Sequence, residues 1–194
     1  MDPIPTSDPP TTSWPLGIDH SITVRPIRPE DVELEVEFIR RLSPESIYNR
    51  VFSNSLSLTP EWLDRLTRID FTRDMAIIAT VALDGRETQI GVARYARLEN
   101  RSCCEFAIAV ADQWHGCGVG VRLLRELIAI GSRSGITEIV GDTLSTNVAM
   151  FALARKIGMS VQPHPEGATL RRLVLSIPDP KRPQEPACAK GTAT

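Results

Sequence analysis

Glu105 is the one carboxylate in the otherwise apolar run "CCEFAIAV" (103–110), and soon after it the chain sets Gly116, Gly118 and Gly120 directly ahead of a helical pattern. Both features are able to do chemistry. A carboxylate in an apolar strand is expected to be partly desolvated, which suits it to accept a proton. Strand alternation alone does not decide whether it faces a site or solvent. Glycines at a helix start let an anion approach main-chain N–H groups that have no intrahelical partner, since no Cβ stands in the way. The competing reading is a helix start packed tightly on a sheet, and a lone G-x-G does not separate the two.

Around these residues the chain alternates strand and helix patterns. "ITVRPIR" (22–28) alternates as a strand, and "PEDVELEVEFIRRL" follows with acids in front and Arg40 and Arg41 behind, the polarity a helix dipole favours. "SPESIYNRVF" (43–52) and "TPEWLDRLTRI" (59–69) read as two more helices, the second opened by a Thr cap and a first-turn proline. "DMAIIATVALDG" (74–85), "TQIGVARYARLE" (88–99) and "CCEFAIAVA" (103–111) read as three strands. The helix from Val119 carries Leu123, Leu124, Leu127 and Ile128 on one face and ends near 132–135. A strand at 136–144, a helix at 146–159 stopped by Gly158, a short strand near 160 and a strand at 168–177 complete the series. The order predicts an α/β domain over 22–177, a mixed, mostly antiparallel sheet of six to seven strands with helices on both faces. Residues 1–21, with five prolines among the first twenty, and 178–194 are expected to be disordered tails.

Bulk composition excludes several classes. The 194 residues carry 22 basic and 24 acidic side chains, interspersed, so a charge-driven nucleic-acid partner is not expected. No apolar run approaches the ~20 residues of a membrane helix, and the start lacks the features of a signal peptide. Cys103, Cys104, Cys117 and Cys188 have neither metal-ligand nor disulfide-framework spacing, so no metal is expected and reduced thiols in the cytoplasm are the plain reading.

The glycines belong to a longer pattern. Val110, His115, Gly118 and Gly120 fit the spacing V/I-x4-Q/R-x-x-G-x-G/A, which resembles the acetyl-CoA motif of the GNAT N-acetyltransferase superfamily. In "LSTNVAMFALARKIGM", Asn147, Met150, Leu153, Lys156 and Gly158 match that family's second motif, with Met159 in place of a Phe. "TVRPIRPEDVE" resembles its opening strand and helix, so the likeness spans about 22–177, and the central segments look most like bacterial protein lysine acetyltransferase domains. Two departures reduce positive charge at the loop: His115 stands at the Q/R position, and Cys117 where Arg is common.

The resemblance implies direct transfer of an acetyl group from acetyl-CoA to an amine, with Glu105 as general base. It implies that backbone groups of Ile108, Ala109 and Val110 line the pantetheine arm. The amides of the 115–120 loop (His115, Gly116, Cys117, Gly118, Val119, Gly120) would bind the diphosphate, and Asn147 would meet the donor's amide region. Asn147 is equally suited to cap its helix. Arg122, in the first turn, reaches either the phosphates or solvent, and Cys117 is a candidate oxidant-sensitive thiol or an inert one. The Tyr that many GNAT enzymes use to protonate the leaving thiolate is replaced, by motif count, by Ala154. The acceptor is expected to be a protein lysine. The alternatives are a small amine, or a non-catalytic module that senses acyl-CoA. The expected assembly is a monomer or homodimer.

Overall fold

The computed structural model describes residues 11–16, 20–51, 58–99 and 102–178. Eight strands form one sheet in the order β1-β2-β3-β4-β5-β6-β8-β7, comprising β1 (Thr12–Leu16), β2 (His20–Pro26), β3 (Asp74–Leu83), β4 (Arg86–Arg97), β5 (Cys103–Val110), β6 (Glu138–Leu144), β7 (Ser160–His164) and β8 (Gly167–Ser176). Five helices flank it: α1 (Val32–Arg40), α2 (Pro44–Val51), α3 (Pro60–Thr67), α4 (Val119–Arg133) and α5 (Val148–Ile157). All pairings are antiparallel except β5 with β6. That one parallel pair needs a crossover, which α4 supplies.

Helix ends follow local chemistry. Thr59 accepts from Trp62 N–H at 3.2 Å to cap α3, with Pro60 in its first turn. Gly158, at φ +87°, closes α5 as its left-handed C-terminal residue.

The unbroken apolar run of β3 has its cause in the layers. Met75, Ile77, Ala79 and Val81 face a core shared with Leu123, Leu124 and Leu127 of α4 and Ala154 of α5. Ala76 and Ile78 face a second core with Phe38 and Ile39 of α1 and Ile47, Trp62 and Leu66 of α2 and α3. Both faces are covered, so neither set of alternating positions is left for polar residues.

The sheet has one strand more than the six to seven expected, because Thr12–Leu16, read from sequence as tail, pairs along β2 from Thr12↔Val24 to Leu16↔His20. Its Trp14 ring lies 5.2 Å from the Arg122 guanidinium, and His20 meets Trp114 edge-on at 5.8 Å between centroids. This hairpin is therefore docked against the start of α4. Residues 1–10, 17–19 and 179–194 of the two expected tails, Cys188 among them, lie outside the described residues, as does Phe52. No helix among the described residues is long and apolar enough to cross a membrane.

A buried ion pair ties β2 to the turn before α1. Arg25 donates from Nη1 and Nη2 to Asp31 at 2.7 and 2.8 Å, and the Arg28 N–H donates to the same carboxylate at 2.7 Å.

Candidate active site

The cleft arises where β5 and β6 part. They pair only at Cys103↔Glu138, Cys104↔Ile139 and Glu105↔Val140. Beyond that point β5 stays paired to β4 as far as Val110, and β6 stays paired to β8 as far as Leu144. The Phe106 ring fills the space over Gly141, where a Cβ would lie 2.9 Å or closer to three ring atoms. An aromatic wedge thus sits at the first position past the last pair. Backbone groups of residues 107–110 on the β6 side have no strand to bond. The opening has a volume of about 560 Å³ and is walled by β5, β6, the 114–121 loop, α5, α2 and the β7–β8 turn.

At one end lies the glycine loop. Gly116 and Gly118 have φ of +77° and +86°, which L side chains rarely adopt, and a Cβ on either would meet nothing within 4 Å. These two glycines serve backbone conformation, not packing. Gly120 differs: its Cβ would touch Leu153, Val110 and Ile108 at 3.4 to 3.8 Å, so it does sit in a close contact. Gly118 is the N-cap of α4 without any side-chain cap, and the first bond runs from Arg122 N–H to Gly118 O at 3.0 Å. The N–H groups of 119–121 therefore precede the first helical bond, at the positive end of a fifteen-residue helix.

Asp112 pins this loop to α2. It accepts from Ser43 N–H at 3.0 Å, Ser43 Oγ at 2.7 Å and Ser46 Oγ at 2.8 Å. Burial alone would push its pKa up, but those donors outweigh it and hold the carboxyl below the usual range.

The sequence-derived binding residues divide into two groups. Ile108, Ala109, Val110, His115, Gly116, Gly118, Gly120 and Asn147 all line the cleft, as does Glu105. Cys117, Val119 and Arg122 do not. Val119 is in the core, and exposed Cys117 has its Sγ 3.7 Å from His115 O. Arg122 pairs with Glu126 at 3.1 Å and stacks on Trp14, so its charge is engaged away from the opening. Val119 still offers its N–H to the loop. The His115 ring is exposed, and its Nε2 donates to Val110 O at 2.8 Å, since a carbonyl only accepts. Asn147 caps α5, with Oδ1 accepting from Met150 N–H at 3.0 Å; its Nδ2 group is left to donate to a ligand.

At the other end stands Glu105. Alternation along β5 puts it on the same face as Ala107 and Ala109, toward the α1–α3 layer. Its side chain is exposed, which corrects the expectation of a desolvated carboxylate. Beside it is a cluster that the sequence reading did not find. Arg172 donates from Nε and Nη2 to Asp142 at 2.9 Å each, and the buried His164 ring meets Asp142 Oδ2 at 3.0 Å. The Glu166 N–H donates to His164 Nδ1 at 3.1 Å, so the ring proton is on Nε2 and points at Asp142. Arg172 is pushed up, mainly by Asp142 with a smaller contribution from Glu105, and Asp142 is held low, mainly by Arg172. The members of the cluster come from three strands, Asp142 from β6, His164 from β7 and Arg172 from β8, so no local pattern announces it.

Three polar atoms in the cleft wall are buried without a hydrogen-bond partner among the described residues: Thr143 Oγ1, Trp114 Nε1 and Arg50 Nη1. With free strand amides, an uncapped helix start and apolar walls from Ile108, Val110, Met150 and Leu153, the residues present fit a long ligand. Such a ligand combines an anionic end with an amide-bearing arm. Ala154 is fully buried in the core, and no Tyr or Cys is among the described lining residues.

Comparison with known proteins agrees with this geometry. The family described as Acetyltransferase (GNAT) domain matches residues 21–160. The chain is 35% identical over 166 residues to acetyltransferase PA5475 of Pseudomonas aeruginosa, covering 84% of this chain and 89% of that one. Among solved structures, the GNAT domain of S. lividans PAT superposes with a TM-score of 0.77 at 26% identity, over 86% of this chain and 97% of that one. The yncA protein of Salmonella typhimurium, solved with acetyl-CoA, shares the fold with a TM-score of 0.65 at 19% identity, over 86% and 99% of the two chains.

Proposed function

Because the chain belongs to the GNAT acetyltransferase family, we propose that it moves the acetyl group of acetyl-CoA directly onto a protein lysine side chain in the cytoplasm. The observation that carries this reading is the parting of β5 from β6, with an uncapped helix start at one end and Glu105 at the other. The donor's diphosphate takes the N–H groups around 118–121, and backbone groups of Ile108, Ala109 and Val110 bond its pantetheine arm. The Asn147 Nδ2 group meets a donor carbonyl. That a fold relative holds acetyl-CoA supports the same placement.

A lysine ammonium, with a reference pKa of ~10.4, must lose a proton before it attacks. Glu105 accepts that proton. The neutral nitrogen then forms its bond to the thioester carbonyl carbon, and the carbon–sulfur bond breaks. The nitrogen gives up its second proton to water, and the thiolate leaves to be protonated by solvent. A thiol pKa near ~8.5 makes the thiolate a tolerable leaving group without a tyrosine donor. An exposed Glu105 at an open mouth supports an acceptor on a long unbranched arm, as a protein lysine provides.

The test is turnover. Acetyl-CoA with a lysine peptide is expected to release CoA thiol and add one acetyl group to the peptide. Glu105→Gln is expected to lower kcat by roughly 10²- to 10⁴-fold while acetyl-CoA binding persists. Full activity in that variant would remove Glu105 from the mechanism. Turnover with small amines but with no peptide would move the acceptor to that class.

A further inference from the structure

One charged group in the cleft has no role in the transfer just described. Arg50, on the last turn of α2, lines the opening. Its Nη1 is sealed from solvent and has no hydrogen-bond partner among the described residues. The nearest charges do not supply one. Arg94 of β4 donates from Nη2 to Glu35 Oε1 at 3.4 Å and from Nη1 to Leu66 O at 3.4 Å. Glu35, fully buried, also accepts from Gln89 Nε2 at 2.5 Å. Glu35 is thus engaged by Arg94 and Gln89 and acts on Arg50 only as a charge at a distance. Burial pushes Arg50 down to about 10, Arg94 pushes it the same way, and Glu35 offsets part of this. Arg50 therefore remains a cation near neutral pH, with a donor unspent.

The location gives that donor a purpose. Arg94 lies opposite Ala107 in the β4–β5 register, and Ala107 and Ala109 share the face of β5 that carries Glu105. Their small side chains leave space between the strand and α2. Glu105 and Glu166 line the same opening and supply negative charge for an ammonium group.

We infer that Arg50 is a specificity-determining residue that binds a carboxylate carried by the acceptor, so that the preferred substrate bears an acid group near its reacting amine. This deepens the reading above and rests on it. The carboxylate has two sources of the same chemistry: an acidic side chain next to the acceptor lysine in a peptide, or the α-carboxylate of a small amino acid. A charge-assisted hydrogen bond in a partly desolvated site is strong enough to make the preference measurable.

The experiment compares matched pairs on the full chain. One pair is a lysine peptide with Glu or with Gln beside the acceptor; the other is lysine and lysinamide. In each pair kcat/KM and the binding of the acceptor to the CoA-loaded protein are measured, the latter by tryptophan fluorescence. The wild type is expected to favour the carboxylate member of at least one pair by about tenfold or more, and the pair that shows this identifies the source. Arg50→Gln is expected to bring that ratio to about one through loss on the carboxylate member, and Arg50→Lys to keep part of it. Equal values for both members of both pairs in the wild type would overturn the inference, and so would a loss in Arg50→Gln that is equal for all acceptors. Should no acceptor be acetylated, the transfer reading fails by itself. Carboxylate-dependent binding that Arg50→Gln abolishes would still uphold the inference, and binding indifferent to the carboxylate would overturn it.

Discussion

His115 reaches back five residues and donates its Nε2 hydrogen to the carbonyl of Val110 at 2.8 Å. This bond ties the glycine loop to the last residue of β5, so the loop and the strand that would hold the pantetheine arm keep one relative position. The ring is exposed, and the net worth of such a bond is about 1 kcal/mol. His115→Ala is expected to raise the KM for acetyl-CoA by roughly three- to tenfold with little change in kcat. Calorimetric titration checks the affinity, and an unchanged value would show that the loop holds itself.

The glycines of the loop make a contrasting pair. Gly118 has φ +86° and open space around it, so Gly118→Ala strains the backbone without any clash. The left-handed conformation costs an L residue about 1–2 kcal/mol, and relief of that strain turns the N–H groups of the helix start away. Gly120→Ala adds a methyl at ordinary contact distance from Leu153, Val110 and Ile108. The first variant is expected to bind acetyl-CoA about tenfold more weakly, and the second to fold and bind nearly as the wild type does. Equal losses in the two would mean that space, not conformation, sets the loop's demand for glycine.

Stability at low pH is expected to depend on Asp31. Burial acts to raise its pKa, but Arg25 and the Arg28 N–H outweigh that and hold it below the ordinary range. A carboxyl lowered on folding contributes stability above its unfolded pKa of about 4 and loses it as pH falls through the folded value. Asp31→Asn leaves the buried Arg25 charge with only the half-exposed Glu87 as counter-charge, at 3.1 Å, and is expected to cost about 3 kcal/mol near neutral pH. Urea midpoints over a pH series check this, and the gap between wild type and variant is expected to narrow below about pH 4.

Much of this molecule is legible in its sequence where the signal is local. The apolar stripe of α4, the Thr59 cap, the Gly158 stop and the glycine loop each depend on residues within a few positions of one another. Glu105 stands out as the lone carboxylate of an apolar run, whereas the lining role of Ile108, Ala109 and Val110 comes from the family resemblance. What was not legible depends on distant pairing. Asp142, His164 and Arg172 meet only because β6, β8 and β7 lie side by side, and Arg50 gains its place only when α2 folds over β5. Strand β1 was hidden by Pro15 and the proline-rich stretch before it; Pro15 suits an edge strand because one side of the ladder needs no donor. Arg122 followed the motif's position, but the ring of Trp14 drew its guanidinium elsewhere.

The wedge of Phe106 against Gly141 has a mechanical corollary. Only three backbone positions stitch β5 to β6, so that joint is the thinnest place in the sheet. A molecule lying along it acts as a rivet across two plates. Whatever binds the folded chain and not the unfolded one adds RT ln(1 + [L]/Kd), about 2.7 kcal/mol at a hundredfold excess over Kd. The thermal endurance of this protein thus becomes a gauge of how full its donor supply is.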